Sequence, residues 1–265
     1  MTNLKMRIFG MQMRRANRMN TFRKMLKIEG KLSIRDMNMV IFAIIMPVVV
    51  LIILGVIYGN KPAFNGAQYT FLEQSFGAVS TIAICAGGLM GLPIMISEYR
   101  ERKILKRFQV TPISPGILLF VHLVIYILYS LVSVVILWIV AKLAWKVQIR
   151  GSLFTFLVGW SLVLLSMFSI GMLVGGVAKN SKSASIIASL LYFPMLVFSG
   201  ATLPYEVMPV PMQKVVDFMP LTQGIKVLKA ATLGIEVEST FIPVIVMVII
   251  ATVCIACSIQ YFRWE

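Results

Sequence analysis

Charge is what this sequence has least of. Only 13% of its 265 residues are Asp, Glu, Lys or Arg, and ten residues are acidic. The mean hydropathy is +0.90. Soluble globular domains carry about 25% charged residues, so a free-standing soluble fold is excluded. Histidine occurs once, at His122. An HExxH zinc site needs two histidines one helical turn apart, so that chemistry is excluded as well. Cysteine occurs three times, at Cys85, Cys254 and Cys257, always inside apolar runs. No disulfide framework follows from that placement. The last two spell C-x-x-C, but a redox pair works at a helix N-terminus, and these sit in mid-run, where they read as small packing residues. No G-x-x-x-x-G-K-[ST] loop occurs, so the chain has no phosphate cradle with which to hydrolyse ATP. No serine stands in a GxSxG context, which leaves a membrane-embedded hydrolase without its nucleophile elbow. The basic N-terminus is not followed by a short apolar region with a small-residue cleavage site, so no secretory signal is expected.

What the sequence does have is apolar runs of membrane-crossing length. A hydrocarbon core about 30 Å thick is crossed by roughly 20 helical residues, each rising about 1.5 Å. Six runs qualify: Val40–Tyr58, Ser75–Ser97, Gly116–Ala141, Leu153–Ala178, Ala184–Leu203 and Phe241–Phe262. None contains Asp, Glu, Lys or Arg, and His122 stands in the third as a lone histidine, where helix packing is the better reading than function. The fold class is therefore an all-α membrane protein with six transmembrane helices. Pro47, Pro93 and Pro194 fall inside runs and are expected to kink them. Ion-coupled carriers usually keep ionisable groups inside the membrane, so any transport energy is expected from another subunit. A stand-alone channel or ion-coupled carrier is the alternative, since backbone carbonyls also bind ions.

The formal charge of +15 is unevenly placed. Ten Lys and Arg precede the first run, five lie between runs two and three, two between four and five, and one in the tail, eighteen in all against seven on the other side. The side richer in Lys and Arg is cytoplasmic, which places both ends of the chain there, with Lys142, Lys146 and Arg150 as a mild exception. Membrane lipid, not nucleic acid, is the partner that this charge suits. Residues 1–39 form a basic cytoplasmic N-terminus, and residues 40–265 the six-span domain. Within the first part, Arg23, Lys27, Lys31 and Arg35 make an i+4 row, while Phe22, Leu26 and Leu32 lie opposite with Met19, Met25 and Ile28. That pattern predicts an amphipathic helix in the interface; Glu29 breaks it. The loop Pro204–Thr240 is too polar to span, and short helices dipping into the outer interface suit it.

The richest stretch is Glu98–Ser114. As a helix it aligns Ile104, Leu105 and Phe108 on one face and spaces Glu98 and Arg102 for an i, i+4 pair, before Thr111-Pro112 and Ser114-Pro115 end it. Such a helix suits docking into a protein groove; it suits equally a solvated loop that only sets topology.

This stretch resembles the coupling helix of type-2 ATP-binding-cassette exporter permeases, whose pattern is roughly E-R-E-R-G-T-L-K-R-L-L-V-T-P-L-S. Glu98, Arg100, Glu101, Arg102, Leu105, Lys106, Arg107, Val110, Thr111, Pro112 and Ser114 match it; Lys103-Ile104 replaces the usual Gly-Thr. Ser199-Gly200, Pro204, Met208-Pro209, Pro220-Leu221-Thr222, Leu228-Lys229 and Leu233-Gly234 are similar to the family's outer re-entrant region, with Met219 and Lys229 as departures. The amphipathic helix resembles the family's elbow helix. The resemblance implies a permease subunit of an exporter in the plasma (cytoplasmic) membrane of a bacterium. Two permease copies would form the path, and two separate ATPase subunits would bind ATP and Mg, with no cofactor on this chain. Coupling would fall to Glu98, Arg100, Glu101, Arg102 and Arg107 through charge, and to Ile104, Leu105 and Phe108 as an apolar anchor. Cargo would be a drug, peptide or lipid-like amphiphile.

Overall fold

The computed structural model describes residues 2–64, 66–109, 115–200, 208–234 and 241–262, with side chains from residue 19 onward except that of Gln109. Among these residues there is no strand, only an isolated bridge between Pro62 and Thr70. The helices are α1 (Thr2–Arg35), α2 (Met37–Tyr58), α3 (Phe71–Glu101), α4 (Ile104–Gln109), α5 (Pro115–Trp145), α6 (Leu153–Val177), α7 (Ser181–Phe198), α8 (Val210–Val216), α9 (Pro220–Leu233) and α10 (Phe241–Tyr261). Six of them, α2, α3, α5, α6, α7 and α10, are long and apolar enough to cross a membrane. They coincide with the six expected runs. The last part of the fifth run, through Leu203, lies outside the described residues.

The largest difference is in α3, which is 31 residues long and overruns its apolar segment at both ends. Its start is set by a capping box. The Thr70 hydroxyl accepts from the Glu73 amide at 3.2 Å, and the Glu73 carboxylate accepts from the Thr70 amide at 2.9 Å. Two otherwise unpaired N–H groups are satisfied this way. Glu73 also takes the Gln148 amide at 3.3 Å and faces Arg150 at 3.4 Å, which ties this end of α3 to the α5–α6 connection. At its far end α3 continues through four charged or polar residues, Glu98 to Glu101, towards the end of the molecule where α1 and α4 also lie, called here the basic end.

Two of the three expected proline kinks take a particular form. Residues Ile41–Ile45 and Ala86–Gly91 are π-helical, and Pro47 and Pro93 follow directly. Proline supplies no N–H and its ring clashes with the carbonyl four residues back. A widened turn relieves that clash: Met46 donates to Ile41 and Leu92 to Gly87, each five residues back. Pro194 lies within α7 with no such segment.

α3 is the central helix. In its most apolar window 83% of residues are buried, against 22–44% in the other five spans. Burial so complete needs small side chains, because apolar association in lipid relies on close packing and polar contacts between helices. At Gly171 of α6 an added Cβ would overlap the carbonyl oxygen of Gly88 on α3. Hydroxyls bridge helices nearby: Ser130 donates to the Ala83 carbonyl at 3.3 Å and Ser166 to the Met247 carbonyl at 2.8 Å. Helix α9 is buried along most of its length and packs on α3, α6 and α10, with Thr232 accepting from the Arg150 and Gly151 amides.

The packing predicts a sharp asymmetry between two glycines. Gly171→Ala forces the α3 and α6 backbones apart, and overpacking of this kind costs about 1–3 kcal/mol. Its thermal midpoint in detergent should fall by several degrees. Gly116→Ala meets nothing within 4 Å and should leave the midpoint where it was; equal midpoints for the two would contradict the contact.

Candidate functional site: the charged turn at the basic end

Helix α3 ends in a tight turn. The Arg102 amide donates to the Glu98 carbonyl at 2.9 Å and the Lys103 amide to the Arg100 carbonyl at 2.8 Å. Lys103 then adopts φ 56°, a left-handed conformation that glycine takes at no steric cost. The position where the resembled family has glycine is thus the position where the backbone asks for one. Ile104 restarts the chain as α4.

The three residues before this turn reach three different parts of the molecule. Successive helical side chains point about 100° apart, and here each direction finds a partner. Arg100 is buried, 7% exposed, and donates to the carbonyls of Gly175 at 3.0 Å, Gly176 at 3.1 Å and Ala178. These are end carbonyls of α6, which lack intrahelical donors and carry the negative end of its dipole. Glu101 points the other way and accepts from the Ser181 amide at 3.0 Å and hydroxyl at 2.6 Å, at the positive N-terminus of α7. Tyr99 meets α5 and α1: its hydroxyl lies 3.1 Å from Nε2 of His122 and 3.4 Å from the Glu29 carboxylate. His122 in turn lies 3.6 Å from Glu29 and donates from Nδ1 to the Leu118 carbonyl at 3.2 Å.

The apolar ridge turns inward. Leu105 is fully buried, and Ile104 and Phe108 pack against the same core. The ridge therefore anchors α4 to its own chain. What stays exposed on the turn is Glu101, Arg102, Lys103, Lys106 and Arg107, with Glu98 half-exposed and paired to Arg102 at 2.7 Å.

On α1 the expected basic row of Arg23, Lys27, Lys31 and Arg35 is exposed. Of the apolar residues, Phe22 and Leu26 pack on the bundle, Phe22 against the Phe120 ring at 5.6 Å, while Leu32 stays 55% exposed. The inward face also carries Glu29, the residue that breaks the sequence pattern. Glu29 and His122 are thus site residues that sequence reasoning left aside. The only local signals were a misplaced acid on an apolar face and a lone polar group within a span, 93 positions apart, and neither names the other.

The left-handed Lys103 generates a test. A side chain in that region costs about 1 kcal/mol relative to glycine, so Lys103→Gly should raise the thermal midpoint of the purified chain. A lowered midpoint would show that the Lys103 side chain, not its backbone, matters at the turn.

Comparisons with known proteins fit this architecture. The profile of the ABC-2 type transporter family matches residues 20–233, well over half the chain. The inner membrane transport permease YhhJ of Escherichia coli K12 is 27% identical over 132 residues, covering 49% of this chain and 35% of that protein. The probable multidrug ABC transporter permease YbhS of the same organism is 25% identical over 175 residues, 64% of this chain and 45% of its own. Nodulation protein J of Rhizobium leguminosarum bv. viciae is 33% identical over 70 residues, 26% of this chain and 27% of its own. The chain thus spans less than half the length of the curated relatives it matches. With six membrane-crossing helices and a profile match that takes in the charged turn and both flanking helix ends, the chain belongs to the ABC-2 type transporter family.

Proposed function

We propose that this chain is the membrane-spanning permease subunit of an ATP-driven exporter. Its turn at residues 98–109 receives the movement of separate ATPase subunits, which hold the ATP and Mg. The observation that carries the reading is the spread of Tyr99, Arg100 and Glu101 over α1 and α5, α6, and α7. A push on a free loop would be lost in its own flexibility. A push on this turn displaces a helix that is almost entirely enclosed and is fixed to the ends of two further spans. The exposed Arg102, Lys103, Lys106 and Arg107 form a basic docking surface for acidic groups of an ATPase, and charge-assisted contacts are the strong ones at such surfaces.

A second permease copy completes the path, and the family's cargo classes make an amphiphilic drug, peptide or lipid-like molecule the substrate. Amphipathic α1 lies in the cytoplasmic interface, its basic row towards anionic headgroups and its exposed Met19, Ile28 and Leu32 towards acyl chains. The basic asymmetry supports a cytoplasmic position for that end and for both chain termini, and the family resemblance supports a bacterial plasma membrane around them. The buried α9 is the outer re-entrant segment of this arrangement.

Docking and transmission separate by mutation. Arg107→Glu reverses a docking charge and should abolish retention of the ATPase through purification, since breaking an interfacial charge pair costs about 2–5 kcal/mol. Glu101→Gln keeps the docking surface but weakens the hold on Ser181; the ATPase should co-purify while ATP-driven transport into vesicles falls at least several-fold. Transport driven by an ion gradient without ATP would contradict the proposal. Orientation has its own test in intact cells lacking native cysteines. A cysteine at Asn60 should label from outside and one at Lys182 only after permeabilisation, and the reverse result would invert the assignment.

A further inference from the structure

A cavity of about 510 Å3 opens beside Glu29, Tyr99 and His122. That volume is within the range of about 300–1,000 Å3 common to small-molecule sites. It extends from the basic end to both π-helical turns, meeting Met39 and Phe42 at the first and Met90 at the second, and is bordered by Tyr126 of α5 and by Tyr192 and Phe193 of α7. The lining is aromatic and thioether-rich, with carboxylates gathered at the basic end.

The polar end is one donor short. The Leu118 carbonyl takes the Nδ1 hydrogen of His122, and the Tyr99 hydroxyl stands between two groups, donating to the Glu29 carboxylate at 3.4 Å and lying 3.1 Å from Nε2 of His122. That hydroxyl has a single hydrogen. Glu29 thus receives one long hydrogen bond, from Tyr99 to its Oε2, and lies 3.6 Å from Nε2, which leaves its Oε1 without a donor among the described residues. Its side chain is 18% exposed, and among the described residues no Lys or Arg pairs with it. The other two carboxylates on the lining are engaged: Asp36 accepts from the Asn38 amide at 3.2 Å and Glu98 pairs with Arg102. A shielded carboxylate held by one long hydrogen bond and with no Lys or Arg beside it is costly, and α1 turns this acid inward while its basic row faces out.

We propose that this cavity binds an amphipathic organic ammonium ion, whose N–H donates to Glu29 and whose apolar body lies against Tyr126, Tyr192, Phe193 and the methionines. Ring faces attract a cation, and methionine adapts to irregular apolar shapes. An anion finds a repelling carboxylate, and a neutral apolar molecule leaves Oε1 of Glu29 without a donor. As a cargo site the cavity rests on the exporter reading above; as a binding site it does not, and the test reads binding alone.

The purified full chain in phosphatidylcholine nanodiscs is titrated against rhodamine 6G, an amphipathic dye cation with N–H groups, by fluorescence polarisation. Binding should be saturable, and the anionic dye fluorescein should not compete. Glu29→Gln should weaken binding roughly ten- to hundred-fold, the usual loss with one charge-assisted hydrogen bond. Phe193→Ala, on an exposed rim position, should weaken it several-fold, and Asp217→Asn, paired with Lys226 far from the cavity, should leave it unchanged. Phosphatidylethanolamine in the disc distinguishes two sources of the same chemistry: displacement of the dye points to a lipid ammonium, and no displacement to a water-borne one. Wild-type affinity in Glu29→Gln, or equal competition by fluorescein, would overturn the proposal. So would a Phe193→Ala variant that changes oligomeric state while binding dye normally, since the cavity would then be a subunit interface. Failure of ATP-driven transport would leave all these binding results untouched.

Discussion

Where α6 ends and α7 begins, two sets of backbone groups face each other without partners of their own: carbonyls at the close of one helix and amides at the start of the next. Side chains of opposite sign from the end of α3 satisfy both, Arg100 on the carbonyls of Gly175, Gly176 and Ala178 and Glu101 on Ser181. The signs match the two helix dipoles, so attraction and hydrogen bonding act in the same direction. Arg100 is buried, and a buried charge is tolerable only when its donors are filled. This makes the junction the least compliant part of the basic end. The position of α4, the exposure of its basic residues and the contact between Tyr99 and α1 all follow from where that junction holds the end of α3.

The remainder of α3 is held in its middle and at its far end. Close approach of Gly88 and Gly171 locks it to α6 in mid-bundle, and the capping box at Thr70 with Glu73 fixes its other end to the α5–α6 connection. The exception is its π-helical turn at Ala86–Gly91, where the regular ladder is widened ahead of Pro93, opposite a second such turn in α2 ahead of Pro47. Both turns meet the same cavity. Such turns recur at functional sites because they leave carbonyls and helix axes room to shift. The helix is thus rigid at its ends and adaptable where a small molecule has space to sit.

Much of this was legible in the sequence, for reasons of length and charge. Bilayer thickness dictates span length, so six apolar runs identified six spans. Their ends were harder. An apolar run stops where lipid stops, whereas a helix stops where its hydrogen bonds do, and α3 runs on to Glu101 because Arg100 and Glu101 find partners on other helices. The ridge of Ile104, Leu105 and Phe108 was visible as a periodicity, but periodicity says that a face is covered and not by what; its own bundle covers Leu105. Lys103 could be understood only once its φ was known, through the glycine of the resembled family. Glu29 and His122 were each noticed as anomalies, and no spacing rule connects residues 93 positions apart. Helix α9 read as a short helix dipping into the outer interface because its Thr222, Gln223 and Thr232 dilute the apolar signal, yet all three are buried.

The central claim is that the charged turn and the α6–α7 junction move as one body. Spin labels at Lys103 and Lys182, both exposed, in a cysteine-free chain assembled with the ATPase proposed above, report this directly by pulsed dipolar spectroscopy. The account predicts one unchanged distance distribution with and without ATP, lost and broadened when Arg100 is replaced by Gln. A distance that shifts by several ångströms on addition of ATP in the otherwise unaltered chain would show that the turn moves independently of the junction and would contradict the account.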